Sequence, residues 1–338
     1  MSKVVYLIGA GASYGERGRN SAGEIIPGKI ERGLPVVNQL ESSIEWFCGT
    51  IRKRNDLGAP INDSVYPHIY KELMWLKDKC HAYPTIDTYA KKLTVTKDLK
   101  ELNRLKNALS LFFALLQNHQ NRDLRYDGFI ASIIQDDGSL PNNITVLSWN
   151  YDYQMEYVLQ DFSSPDTDIL QVWQKYGINC KGFNNNVLGS KFNYIKLNGT
   201  AMFSNARENK LVNPELYELE RLERIYSDSF LQWCSNISFA WERDDNFIES
   251  ILPILRDTTV LVVVGYSFPF VNRSVDKRLI QSMSRLRSVY IQDTVASDVK
   301  QSFETLLSFG QEQLIEQRAL KIHLRTSVNQ FFIPKELS

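Results

Sequence analysis

Five short segments hold residues able to do chemistry, and each stands at or after the end of an apolar, strand-like run. The first is Gly9-Ala10-Gly11-Ala12-Ser13, after Val4–Ile8. Glycines at this spacing let backbone come close to a ligand, because no Cβ intervenes. A helix starting there would aim unpaired N–H groups at a diphosphate, and the Ser13 hydroxyl would add a donor. The alternative is a tight strand-to-helix turn, since strict GxGxxG spacing fails: Tyr14 stands where the third glycine belongs, and Gly15 follows it. The second segment is Ser148-Trp149-Asn150-Tyr151-Asp152. Its amide and carboxylate could hold a planar carboxamide, a ribose or a water, or could cap the next helix. The third, Lys196-Leu197-Asn198-Gly199-Thr200, reads alone as a turn. The fourth is Gly265-Tyr266-Ser267-Phe268-Pro269, followed by Asn272, Arg273 and Asp276. The fifth, Tyr290–Asp293, ends in an acid, Asp293, that could reach a ribose or an adenine edge.

Other chemistries find little support. Gly23–Ile30 matches a P-loop up to Lys29, but Ile30 stands where a magnesium-binding hydroxyl is required, and residues 14–33 read as a glycine-rich mobile loop. The four histidines (His68, His81, His119 and His323) form no metal-binding spacing, and no metal is expected. The four cysteines stand singly, which suits reduced thiols and argues against a zinc knuckle. Lys and Arg number 39, matched by 39 Asp and Glu, so direct nucleic-acid binding is not expected. No apolar run is long enough for a membrane span, and no targeting segment is evident, so a cytoplasmic location is expected.

The elements that must position these residues are strands without polar alternation, read as buried on both faces: Val4–Ile8, Ile144–Ser148 and Thr259–Val264. Tyr194–Leu197, Val289–Gln292 and Leu320–Leu324 are weaker candidates. Helical patterns cover Val36–Arg54, Tyr66–Lys79, Leu99–Gln117, Asp123–Gln135, Pro214–Cys234, Asp245–Leu255, Asn272–Ser284 and Ser297–Phe309. The alternation predicts an α/β chain, a Rossmann-like doubly wound parallel sheet forming one domain over 1–338. About 135 residues separate the first strand from the second, far more than one crossover needs. That excess predicts a helical insertion at 36–140. Residues Asp161–Asn193, including Gly182-Phe183-Asn184-Asn185-Asn186, read as irregular connection.

Taken together and in order, these motifs resemble the sirtuin-like NAD hydrolases of bacterial antiphage defence, over nearly the whole chain. Gly9-Ala10-Gly11-Ala12-Ser13 is similar to that family's diphosphate turn, and Asn150-Tyr151-Asp152 to its N-x-D catalytic motif. Gly33-Leu34-Pro35 resembles the point where its first helix resumes, and Pro84–Ala90 a motif of its helical insert. Gly265–Pro269 with Asn272 and Asp276 resembles its ribose and phosphate motif. The resemblance implies that NAD(P)+ is bound as substrate, without a further cofactor, and cleaved at the nicotinamide–ribose bond. Asn150 would position ribose and attacking water, and Asp152 the carboxamide. The family's general-base histidine is replaced by Asn198, and His323 could approach from a late strand. An NAD- or ADP-ribose-binding subunit with little or no turnover is therefore the alternative. The zinc module of deacylating sirtuins is missing, so deacylation is not implied. The resemblance further implies NAD depletion during infection, held in check by homo-oligomerisation or by a separate partner protein such as an ATPase encoded alongside.

Overall fold

A computed structural model describes residues 3–53, 66–181, 192–205, 208, 210–227, 233–242 and 245–337. The chain begins with β1 (Lys3–Ile8), then forms a hairpin from β2 (Glu16–Arg19) and β3 (Ile25–Arg32). Five helices follow: α1 (Leu40–Lys53), α2 (Pro67–Ala82), α3 (Ile86–Val95), α4 (Leu99–His119) and α5 (Leu124–Ile133). Next come β4 (Ile144–Ser148), α6 (Gln154–Asp161), α7 (Ile169–Lys175), β5 (Asn179–Cys180) and β6 (Asn193–Lys196). A small antiparallel sheet is made by β7 (Gly199–Asn205), β8 (Lys210–Leu211) and β9 (Trp233–Ile237), with α8 (Leu219–Ser227) inside it in sequence. The last part runs α9 (Asp245–Leu255), β10 (Thr258–Val264), α10 (Arg273–Ser282), β11 (Ser288–Gln292), α11 (Ala296–Glu304), α12 (Phe309–Glu316) and β12 (Lys321–Arg325).

The central sheet has seven strands in the order β12-β11-β10-β1-β4-β6-β5, and every neighbouring pair is parallel. Its two faces bury separate cores, because successive side chains of a strand point opposite ways. Val4, Tyr6 and Ile8 join Val146, Val262 and residues of α1–α5 on one face. Val5 and Leu7 join Leu147, Leu261 and residues of α9–α11 on the other. This is the α/β doubly wound arrangement, with a helical layer on each face. From β1 the chain builds outward through β4 and β6, then returns to lay β10–β12 on the other side. The reversal opens a crevice at the carboxyl ends of β1 and β10, where ligands of open parallel sheets bind.

Several expectations change. Residues 14–33 form the β2–β3 hairpin instead of a mobile loop. Its turn is set by Asn20, whose Oδ1 accepts from the amides of Ala22 at 3.0 Å and Glu24 at 2.9 Å. The hairpin buries only Gly18 and Ile30 and leaves its other residues partly or fully exposed, so it lacks the apolar pattern that marks a buried strand. Leu320–Leu324 reads as a strand buried on both faces, but β12 is a largely exposed edge of the sheet. The helix expected over Pro214–Cys234 is cut to α8, and its end belongs to β9. The helix expected over Ser297–Phe309 is present as α11 but stops at Glu304, and Phe309 already opens α12 behind the capping box of Ser308 with Gln311. Within Asp161–Asn193, α7 and β5 are regular, while Gly182–Asn186 lie outside the described residues.

Candidate functional site

The glycine turn after β1 is a single 3-10 turn, Ala10–Ser13, and no α-helix follows it. The expected helix start is replaced by the entry to the β2–β3 hairpin. What fixes the turn is its approach to the matching turn after β10. The Gly11 amide donates to the Gly265 carbonyl at 2.9 Å, and the Ala12 amide to that of Gly9 at 2.9 Å. A Cβ on Gly9 would meet the Tyr266 ring at 2.6 Å, and one on Gly11 the Gly265 Cα at 2.7 Å. Glycine is thus required at both positions by packing between two turns. Arg125 braces the arrangement from α5, donating to the carbonyls of Gly11 at 3.2 Å and Ala12 at 3.1 Å while paired with Asp123.

Residues that follow β4 reach into the same turn. Asn150 Nδ2 donates to the Gly9 carbonyl at 2.9 Å and to Ser13 Oγ at 3.0 Å. Ser13 Oγ also lies 2.8 Å from the Tyr126 hydroxyl and donates to Asp152 Oδ2 at 2.7 Å. A hydroxyl has one proton, so Ser13 gives it to Asp152 and accepts from both Asn150 and Tyr126. Its proton is therefore committed to the carboxylate, and the turn reaches a ligand through backbone. Both Asn150 protons are used as well, which leaves its Oδ1 as an acceptor. Burial pushes the Asp152 carboxyl up, and the Lys196 charge works against that shift.

Beneath this network lies a fully buried ion pair, Lys196 Nζ to Glu156 Oε1 at 2.9 Å. Lys196 also donates to the Asp152 carbonyl, so the cation under the sheet edge holds the main chain of the N-x-D segment. Tyr194 completes the cluster, donating to Glu156 Oε2 at 3.3 Å. On the other face, buried Asp276 accepts from Trp149 Nε1 at 3.1 Å and from the Tyr266 hydroxyl at 2.7 Å. It thereby locks the stacked Trp149 and Tyr266 rings, and burial pushes its carboxyl up to about 8. Asp276 supports the site from behind, whereas Asn272 lines it.

Asn198, which follows β6, is buried; its Nδ2 points to the Trp149 carbonyl at 3.5 Å, and its Oδ1 has no partner. A buried acceptor left unpaired is costly, so a group able to hydrogen-bond there would recover energy. His323 does not approach. It lies on β12, stacked on Tyr290 with ring centroids 4.7 Å apart, and is not part of the lining.

All these segments open onto one cleft of about 940 Å³. Gly9, Ala10, Gly11, Ser13, Asn150, Asp152, Asn198, Gly265, Ser267 and Asp293 line it; Ala12 is turned into the core. Sequence reasoning placed no role on Arg125 or Tyr126, whose part depends on tertiary approach. It also passed over the aromatic wall of Phe113, Phe239 and Trp241, and placed Asp87 in a helical-insert motif without a role in the cleft. Asp87 stands in the first turn of α3, half-buried, with its carboxyl pushed up to about 6 by burial. Among the described residues, no three His, Cys, Asp or Glu side chains gather to hold a metal ion. Likewise no described helix is long and apolar enough to cross a membrane. No protein-family model matches the chain, and no curated protein matches it.

Proposed function

We propose that the chain is an NAD(P)+ glycohydrolase that cleaves the nicotinamide–ribose bond, in the manner of the sirtuin-like hydrolases its motifs resemble. The observation that carries this reading is the hydrogen-bond network that ties Asn150 and Asp152 to Ser13 of the glycine turn. It brings the expected diphosphate end and the expected reacting end into one cleft. The cleft's volume falls within the range of small-molecule sites, and its aromatic wall suits a pyridine ring kept from water. Asn150 presents its Oδ1 toward ribose or water, while Asp152, held by Ser13 and by the Gln154 amide, faces the carboxamide. Such fixed dipoles, aimed where positive charge develops on the ribose, lower the barrier without reorganising.

One observation favours a second reading, a binding subunit with little turnover. Asn198 offers an acceptor but no basic atom, and losing a general base costs about 10²–10⁴-fold. By the same resemblance, NAD depletion in antiphage defence, control through a homo-oligomer or a separate partner such as an ATPase, and a cytoplasmic location belong to the proposal.

Release of nicotinamide from NAD+ by the purified chain, alone and with candidate partners, tests it. The wild type should release nicotinamide and Asn150→Ala should not, with the fold unchanged by circular dichroism. Asn198→His should raise turnover if Asn198 occupies the base position. Saturable NAD+ binding with no nicotinamide from any preparation would leave the binding-subunit reading in place.

A further inference from the structure

Three carboxylates line the cleft: Asp87, Asp152 and Asp293. Asp152 accepts from Ser13 and from the Gln154 amide, and Asp293 from the Val295 amide at 3.0 Å. Asp87 alone among them accepts no hydrogen bond from the described residues, although α3 is otherwise capped normally by Thr85. It lines the cleft together with Tyr151 after β4 and Tyr266 after β10, which belong to the two loops that carry the site. Phe113 from α4 and Phe239 and Trp241 after β9 make the rest of that wall apolar. Half-buried against such a wall, the Asp87 carboxylate is partly stripped of water and held only by the amino end of α3, which leaves its oxygens free for a group that arrives with the substrate.

Resting on the glycohydrolase reading, we infer that Asp87 is the general base, the catalytic residue that takes the proton of the attacking water. Asn198 Oδ1, buried and unpaired, is an acceptor for the water's other hydrogen. In the step, the bond from the ribose anomeric carbon to the nicotinamide nitrogen breaks, and its electron pair leaves with nicotinamide. The water oxygen bonds to that carbon, and one water proton passes to the Asp87 carboxylate. Asp87 then returns the proton to solvent, so NAD+ and water give ADP-ribose, nicotinamide and a proton. The position of Asn198 thus needs no histidine, because the base stands on the helical layer instead of the sheet.

Burial sets Asp87 at about 6, high enough to accept a proton effectively and low enough to be ionised at neutral pH. The other charged groups facing this space are Asp152, Asp293 and Arg125, and the remaining titratable ones are the phenols of Tyr14, Tyr151 and Tyr266. Arg125 is already paired with Asp123, burial pushes the phenols of Tyr151 and Tyr266 up, away from this range, and Asp152, also pushed up by burial, keeps its Ser13 and Gln154 partners whatever stands at 87. Turnover should therefore fall about tenfold per pH unit below about 6, as Asp87 takes up its proton.

The test is Asp87→Asn, which keeps shape and removes basicity. Turnover should drop about 10²–10⁴-fold, with ADP-ribose affinity within about threefold of wild type. The step near 6 that belongs to Asp87 should be lost from the acid limb, whatever Asp152 adds to it, and added azide, which attacks without losing a proton, should restore nicotinamide release. Azide should not rescue Asn150→Ala. A D87N chain with wild-type turnover and the acid limb intact would overturn the role of Asp87 and leave the glycohydrolase reading standing. A D87N chain that loses ADP-ribose affinity and ignores azide would make Asp87 structural and overturn the role as well. A wild-type chain that binds ADP-ribose but releases no nicotinamide at any pH, alone or with candidate partners, would overturn both.

Discussion

Replacing Gly265 by alanine probes the contact between the two turns. Gly265 holds φ at +57°, and an added Cβ would stand 2.3 Å from the Ala12 nitrogen and 2.3 Å from the Gly11 carbonyl carbon. Left-handed backbone costs an alanine roughly 1–2 kcal/mol. Pushing one backbone off another adds about 1–3 kcal/mol, as overpacking does in a core. Gly177 separates the two costs, because its φ is +60° and its Cβ would meet nothing within 4 Å. Gly177→Ala should therefore lose about 1–2 kcal/mol and Gly265→Ala about 2–5 kcal/mol, read from urea unfolding of the full chain. The excess should reappear in calorimetry as weaker ADP-ribose binding by Gly265→Ala only, since parting the turns widens the end of the cleft to which the proposal assigns the diphosphate. Equal losses in the two variants, or wild-type ADP-ribose affinity in Gly265→Ala, would refute the reasoning.

Two further outcomes follow from the buried charges. Lys196→Met leaves Glu156 unpaired at a fully buried position and should cost about 3–5 kcal/mol in urea unfolding, with much of it recovered in Lys196→Met/Glu156→Leu; a single variant as stable as wild type would contradict this. Asp276 sits at about 8 when folded against about 4 when unfolded, so between those values the folded chain holds a proton the unfolded chain has released. Its contribution should make stability fall as pH rises through that window and level off above it, and Asp276→Asn should flatten the slope; parallel unfolding profiles would contradict it.

The inner strands of the central sheet were legible because burial on both faces leaves an unbroken apolar run, as in Val4–Ile8 and Val260–Val264, whereas the two-residue β5 and the exposed edge β12 leave no such trace. The positions of Asn150, Asn198 and Gly265 were legible for the same reason: each stands just past the carboxyl end of such a strand, where the sheet gathers them. The β2–β3 hairpin was not, since only Gly18 and Ile30 of its residues are buried and they carry no strand period. The small sheet of β7, β8 and β9 was hidden because β8 spans only Lys210–Leu211 and β9 looked like the tail of a helix. Asp87, Arg125 and Tyr126 come from helices that pack across the sheet, and local sequence holds nothing about which side chains such packing aims at a distant turn. The replacement of a following α-helix by a 3-10 turn was illegible too, because Gly11 and Ala12 spend their amides on Gly265 and Gly9.

The most direct test of the whole account is a crystal structure of the Asn150→Ala chain soaked with NAD+. The account predicts an intact dinucleotide in the cleft, its diphosphate against residues 9–13 and its anomeric carbon facing Asn198 and Asp87. A dinucleotide bound elsewhere, or a cleft that stays empty when the nucleotide is saturating, would contradict it.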